Sequence, residues 1–372
     1  MKTVAEFEIQ YHQFLDAEGG ACGPLPEFAR DPAELAKMYR VMTLVRAFDT
    51  KCINLQRTGK IGTYASCIGH EATHVGVGAA MHPDDVLAVY YREYGAQFWR
   101  GVKMSEVLLY WGGDERGNDF TPKHDFSWCV PIGSQALHAC GAAMAFKIRG
   151  EPRCAVAFIG DGGTSEGSFY EAMNMAGARS LPVVFVIVNN QWAISVPVEA
   201  QTATRTLAQK AIAAGIPGLQ VDGNDIVAVR HLVGEALATA RTGKGPTVIE
   251  ALTYRLSDHT TSDDASRYRR EQEVKDAWRI EPLLRTRAYL TKAGAWDQAR
   301  EEKLKAECTA YVDAAVEEYL RTPRQDTDSM FDYLFARMPR TLEAQREIAR
   351  RYAAAAEEQS EQARRYAASS GH

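Results

Sequence analysis

The feature that most constrains the fold is a strand, turn, helix and second strand between residues 155 and 190. An apolar run, Ala155-Val156-Ala157-Phe158-Ile159, leads into Gly160-Asp161-Gly162-Gly163-Thr164-Ser165-Glu166-Gly167. A helical stretch follows, and then a second apolar run, Val183 to Val188, ends in Asn189-Asn190. Two continuously apolar strands separated by a whole helical crossover predict neighbours in a parallel sheet. Asp161 and Asn190 then emerge at the carboxyl ends of adjacent strands, where open α/β sheets bind their ligands.

Those residue types suit one kind of ligand. A carboxylate and an amide carbonyl are hard oxygen donors for an octahedral divalent cation such as magnesium. Gly162 and Gly163 allow close backbone approach to phosphate oxygens, and a following helix presents unpaired N–H groups and its positive dipole end. The segment therefore reads as a site for a magnesium-bound diphosphate. Asp-Gly alone is also a common turn. The 26-residue interval between Gly162 and Asn189, with a helix and a strand in it, favours the site.

The rest of the chain supplies a sheet for this unit. Asp31 and Pro32 read as N-cap and first residue of a helix with an apolar stripe at Leu35, Met38, Tyr39, Met42 and Val45. Another helix is expected from about His70 to Ala80, and a strand over Val86–Tyr90. Ser134 to Ile148 is a helix of unusually small side chains, suited to a close helix–helix contact or to burial under the sheet. Strands at 219–222 and 246–251 flank a helix at 226–242. The alternation predicts an α/β fold with a parallel sheet covered by helices on both faces. The expected organisation is an N-terminal arm at 1–30, an α/β domain at 31–300 and a helical C-terminal extension at 301–372, with a tail at 369–372 lacking order.

Composition narrows the function classes. With 46% apolar residues in 372, the chain can bury a large core. A net charge of −5 gives no basic footprint for nucleic acid. No apolar run reaches the ~18 residues of a membrane span, and residues 1–6 lack a secretory apolar region. Seven cysteines without a Cys-x-x-Cys pair read as reduced packing residues, which points to the cytoplasm.

The motifs in this order resemble those of thiamine diphosphate enzymes, whose signature is Gly-Asp-Gly, just under thirty residues, and Asn-Asn. More closely, residues 35–338 look like the α subunit of the decarboxylating component of 2-oxo acid dehydrogenase complexes, of the pyruvate and branched-chain types. The likeness includes Asn189-Asn190-Gln191-Trp192-Ala193-Ile194-Ser195, Val221-Asp222-Gly223-Asn224-Asp225, and Thr253-Tyr254-Arg255 followed by His259-Thr260-Thr261-Ser262-Asp263-Asp264. It implies thiamine diphosphate with Mg2+ held by Asp161, Asn190 and the backbone carbonyl of Trp192, and Gly162 and Gly163 at the diphosphate. It also implies that Tyr91 and Arg92 reach the diphosphate, where the planar guanidinium fork suits phosphate oxygens. Ile132 would wedge beneath the cofactor, with Val130 contributing backbone polar groups nearby.

His259 would contact the diphosphate and help receive a lipoyl group, a role suited to imidazole acidity. Tyr64, in the segment that ends at Glu71, would line the substrate pocket. Some relatives hold K+ at the positions of Cys129, Pro131, Ser134 and Gln135. The Glu that activates the cofactor belongs to a pyrimidine-binding domain absent from this chain, so the resemblance implies a β subunit in an α2β2 assembly. A lipoyl-bearing acyltransferase core would accept the acyl unit. Residues 160–165 and 206–218 resemble pyruvate-type subunits, which makes pyruvate the preferred 2-oxo acid. The loop 259–264 fits the branched-chain type equally, and acetoin dehydrogenase is a third relative. A different class, a non-catalytic nucleotide-binding regulatory α/β protein, predicts no cofactor binding. A Rossmann dehydrogenase is disfavoured because no G-x-G-x-x-G follows a first strand.

Overall fold

The structure, a computed structural model, describes residues 1–369. The chain divides into two compact units, Met1–Tyr319 and the segment from Leu320 onward. The first unit is built on a parallel sheet of β1 (Tyr11–His12), β2 (Val86–Ala88), β3 (Ala155–Gly160), β4 (Val183–Asn189), β5 (Gly218–Asp222) and β6 (Thr247–Leu252). Its order is β1-β5-β6-β4-β3-β2. Its main helices are α1 (Pro32–Arg57), α2 (Glu71–Ala80), α3 (Ser134–Arg149), α4 (Gly167–Arg179), α5 (Ile226–Arg241) and α6 (Gln298–Arg321).

The two-residue period of the strands sorts the core into two layers. Val156, Phe158, Val184, Val186 and Val188 face one side with Val77 of α2 and Ala228, Val229, Leu232 and Val233 of α5. Ala155, Ala157, Ile159, Phe185 and Ile187 face the other with Ala136, Ala139, Cys140 and Ala143 of α3 and Phe169, Ala172 and Met173 of α4. Both expectations for the small-sided helix are thus met at once. Its small face lies on the sheet, and the Cys140 thiol reaches the Ala172 carbonyl of α4 at 3.4 Å.

Asp31 caps α1 as expected, accepting from Ala33 N at 2.9 Å. Part of the N-terminal arm expected over residues 1–30 is built into the sheet. Tyr11 and His12 pair with Gln220 and Val221 as an added edge strand, and Leu15 is fully buried. Asp225 explains the attachment. Its Oδ1 caps α5 through Val227 N and Ala228 N, while its Oδ2 accepts Phe14 N and Leu15 N, each at 2.7 Å. Residues beyond 300 also belong to the first unit: in α6, Leu304 and Cys308 pack with Leu35, Met38 and Tyr39 of α1. The boundary expected at 300/301 therefore falls inside this unit, at the start of a helix whose apolar face covers α1.

The second unit contains helix α7 (Arg340–Ser369), within the helical extension expected over 301–372. Within it Arg350 pairs with Asp328 and Glu347. Of the tail expected at 369–372, Ser369 ends α7, and residues 370–372 lie outside the described residues. Among the described residues no helix is long and apolar enough to cross a membrane.

Candidate functional site

The pairing of β3 with β4 sets Gly160 opposite Val188, so the two chain ends leave the sheet together. Their exits, with the residues after β2 and β6, enclose a cavity of about 260 Å3. Of the residues singled out from sequence, Tyr91, Arg92, Ile132, Asp161, Gly162, Gly163, Asn190, Trp192 and His259 line it.

Asp161 is 1% exposed, and its Oδ2 has no hydrogen-bond partner among the described residues. Burial pushes its carboxyl up to about 6. A buried carboxylate oxygen left unpaired is costly, and a bound cation removes that cost. Asn190 is also buried, with its Oδ1 accepting Trp192 N at 3.2 Å. The Trp192 carbonyl accepts the Arg255 guanidinium at 3.1 Å, so a metal there would share that oxygen with an arginine. Among the described residues no cluster of three or more His, Cys, Asp or Glu side chains could hold a metal. The donors gathered here are instead one carboxylate, one amide and one carbonyl, the mix that suits a cation completed by ligand oxygens.

The glycines have a packing reason in addition to the one read from sequence. A Cβ on Gly162 would lie 2.7 Å from Ala193 Cβ, and one on Gly163 would lie 2.7 Å from Ile159 Cγ1 and 2.8 Å from Ile132 Cγ2. Gly163 is therefore the floor on which Ile132 rests. A 3-10 turn, Gly162–Ser165, separates Asp161 from α4, which begins only at Gly167. The helix expected after the run 160–167 begins at Gly167, and within the turn Thr164 brings its N–H and hydroxyl back onto the Asp161 carbonyl.

Two guanidiniums dominate the electrostatics. Arg92, 1% exposed, donates to the Ser66 carbonyl, to the His259 carbonyl at 2.7 Å and to His259 Nδ1 at 2.9 Å. Arg255 donates to Ile194 O at 2.8 Å, to the Tyr268 hydroxyl at 2.9 Å and to His259 Nδ1 at 3.3 Å. All these partners are neutral. Burial and the neighbouring Arg92 lower the Arg255 pKa to about 10. Two buried cations held by neutral groups form a receptor for an anion.

The same two donors fix His259. With Nδ1 accepting, the ring proton sits on Nε2, and burial plus both guanidiniums lower its pKa to about 3. The imidazole is neutral at physiological pH and offers an N–H donor. Its loop is tied down: His259 N donates to Asp263 Oδ2 at 2.9 Å, Thr261 N to Tyr64 O at 2.9 Å, and Arg269 to Ser257 O at 2.8 Å.

Two residues named from sequence do not join the cavity. Tyr64 is fully buried, stacked on Tyr94, with its hydroxyl donating to Asp49 Oδ1 at 3.1 Å. It supports the wall through its backbone, and its side chain lies outside the lining of this cavity. A local motif does not show which side of a segment faces inward. Val130 is 49% exposed and lies outside the lining. Of the potassium set, Pro131 O accepts the Ser134 hydroxyl at 2.8 Å and lies 3.8 Å from Cys129 Sγ. The Gln135 amide donates to Phe158 O at 2.9 Å, and its Oε1 is without a partner among the described residues.

Sequence reasoning missed Tyr90, Glu166, Ala193, Ile194 and Arg255 in the lining. Arg255 stood in a quoted motif and could have been found there. Glu93, behind the wall, was also missed. It is fully buried, its Oε2 accepting Tyr90 N and Arg92 N, and burial pushes its carboxyl up to about 8. Gln191 and Ile194 adopt positive φ of 75° and 57° without being glycine. Strain of this kind concentrates at ligand sites.

The comparisons with known proteins decide the family. Residues 39–327 match the family model described as "Dehydrogenase E1 component". The chain belongs to the dehydrogenase E1 component family. The chain is 44% identical over 322 residues to the "3-methyl-2-oxobutanoate dehydrogenase subunit alpha" of Mycobacterium tuberculosis, covering 86% of this chain and 88% of the relative. It is 41% identical over 326 residues to the "Pyruvate dehydrogenase E1 component subunit alpha" of Acholeplasma laidlawii, covering 86% and 93%. The corresponding Mycoplasma genitalium subunit is 37% identical over 342 residues, covering 92% and 96%. As a dehydrogenase E1 component the chain is an α subunit of a 2-oxo acid dehydrogenase, an enzyme that uses thiamine diphosphate. The non-catalytic regulatory reading falls with that assignment.

Proposed function

We propose that the cavity at the ends of β3 and β4 binds the diphosphate of thiamine diphosphate through Mg2+, and that a small 2-oxo acid is decarboxylated there before acyl transfer to a lipoyl group. The observation that carries the reading is the Asp161 Oδ2, without a partner among the described residues, beside two guanidiniums whose hydrogen-bond partners there are all neutral. A cation satisfies the first and an anion the second, and a metal diphosphate is both.

Asp161, Asn190 and the Trp192 carbonyl would hold Mg2+, and Arg92 and Tyr91 the diphosphate oxygens. Gly162 and Gly163 leave backbone room, and Ile132, resting on Gly163, would support the cofactor rings. Val130, beside it, would face the ring through its backbone. Thiamine diphosphate supplies the carbon nucleophile when bound. His259, neutral and with its proton on Nε2, would orient the diphosphate or donate toward the incoming lipoyl sulfur. Potassium would find the Gln135 Oε1, without a partner among the described residues, as its buried acceptor.

A β subunit is part of the proposal. Ile132, Ile194 and Val196 present an exposed apolar rim near the cavity, and Asp161 and Glu166 are the carboxylates in its lining, both in the turn after β3. The Glu that activates the cofactor would come from the partner, in an α2β2 assembly that delivers acyl units to a lipoyl-bearing acyltransferase. A cytoplasmic setting accords with seven free cysteines. Relatives of both substrate types support two candidate 2-oxo acids, pyruvate and 3-methyl-2-oxobutanoate.

The test is co-production with the β subunit and assay of both acids with Mg2+ and thiamine diphosphate. Turnover of one or both is expected, and the ratio of the two kcat/KM values ranks them. No turnover of any 2-oxo acid by the assembled pair rejects the proposal.

A further inference from the structure

The stretch Thr206–Ala213 drew notice in the sequence only through its likeness to relatives, yet it stands behind both turns that carry the proposed metal ligands. It opens with a capped 3-10 turn, Leu207–Gln209, in which Gln209 N donates to Thr206 Oγ1 at 3.3 Å. From that turn Ala208 N donates to Glu250 Oε2 at 3.0 Å, and Glu250 Oε1 accepts Asn189 Nδ2 at 2.7 Å. This arm holds the strand end that delivers Asn190.

The second arm is Lys210. Its Nζ donates to Thr164 O and to Thr164 Oγ1, both at 2.8 Å, and the Thr164 hydroxyl in turn donates to the Asp161 carbonyl at 2.7 Å. Lys210 is 5% exposed, and its ammonium lies 5.5 Å from the Tyr170 ring centroid. It does not line the cavity. An ammonium buried against neutral partners is costly, and replacing it with an apolar side chain would ordinarily stabilise a fold. Its charged neighbours are Asp161 and Glu250, so the cost is borne beside the two turns that matter.

We propose that Lys210 is a positioning residue for the metal diphosphate: it fastens the Asp161 turn through Thr164 while Glu250 fastens the Asn190 turn. One short segment thereby sets the spacing of two oxygen donors that follow the ends of different strands. The inference rests on the reading that Asp161 and Asn190 ligate the metal.

The experiment uses the assembled αβ complex, stripped of cofactor, with Mn2+ as the probe. Mn2+ affinity is measured by paramagnetic resonance at saturating thiamine diphosphate, and the melting temperature is measured without ligands. Lys210→Met is expected to weaken Mn2+ binding roughly tenfold or more, the loss typical of removing an outer partner of a metal site. Its ligand-free melting temperature should be unchanged or raised, and Lys210→Arg should restore most of the affinity. Should Lys210→Met fail to assemble, the near-isosteric Thr164→Val decides the matter, with weaker Mn2+ binding expected.

Parental Mn2+ affinity in Lys210→Met, or in Thr164→Val where only that variant assembles, overturns the inference. So does a loss of affinity that Lys210→Arg fails to recover. Asp161→Asn serves as the control. Unchanged affinity in that variant rejects the metal-site reading and this inference together, whereas loss there beside parental behaviour in Lys210→Met rejects only the role of Lys210.

Discussion

The turn that bears Asp161 and the loop that bears His259 face the same cavity, but they are held in opposite ways. The Asp161 turn is fixed from behind, through Thr164 and Lys210, and its side-chain Oδ2 is left without a partner among the described residues. The His259 side chain is fixed from within the cavity, because Arg92 and Arg255 donate to the imidazole itself, while its loop is tied outside the cavity through Asp263, Tyr64 and Arg269. The first arrangement keeps a functional atom free for a ligand. The second engages one nitrogen so that the other is set as a donor. Pre-organisation can thus be achieved by withholding partners or by supplying them, according to whether the group must accept a cation or present a proton.

The largest expected effect comes from Asp161→Ala, which removes the sole carboxylate of the donor set. Metal-dependent thiamine diphosphate binding should fall by on the order of 10²-fold or more, with the circular dichroism of the complex unchanged. Calorimetric titration with Mg2+ checks it, and near-parental affinity would erase the contrast between turn and loop. His259→Ala should lower acyl transfer to lipoyl by roughly 10²-fold and cofactor-dependent decarboxylation by less. Decarboxylation to a dye acceptor, measured beside lipoyl reduction, separates the two steps. Equal losses would mean that His259 only orders its loop.

Gly163→Ala tests the turn from its other side. The new methyl would press on Ile159 and Ile132 at 2.7–2.8 Å, and overpacking of this kind costs about 1–3 kcal/mol. Chemical denaturation should show that loss, accompanied by weaker cofactor binding through displacement of Ile132.

The smallest effect concerns pH. His74 lies fully buried on Phe158 of β3, with its pKa lowered to about 3 by burial and Arg92. Because the unfolded chain takes up this proton first, stability falls as pH drops below the ordinary histidine value, by about 0.7 kcal/mol between pH 7 and 6. Asp161 and Glu93, whose carboxyl pKa values are raised, contribute in the opposite direction over that interval. His74→Phe should therefore remove only the histidine part, which paired denaturation curves at the two pH values would reveal.

What could be read from sequence was local. The apolar runs of β3 and β4, the Gly-Asp-Gly and Asn-Asn turns and the Asp31 cap are each written in consecutive residues, and they appear where expected. Arg255 and Lys210 act across the fold, at 61 and 46 residues from Ile194 and Thr164, and no spacing rule announces such partners. Tyr11–His12 forms only two residues of strand, too few for alternation to register. The neighbours of Tyr64 fix its position along the chain but not its facing, which is into the core.

The sheet is flanked by its two shortest strands, Tyr11–His12 and Val86–Ala88, while the interior strands run to five to seven residues. Each margin thus exposes too few free amide and carbonyl groups to template another chain. Lateral growth into fibrous or swapped aggregates is discouraged at both borders.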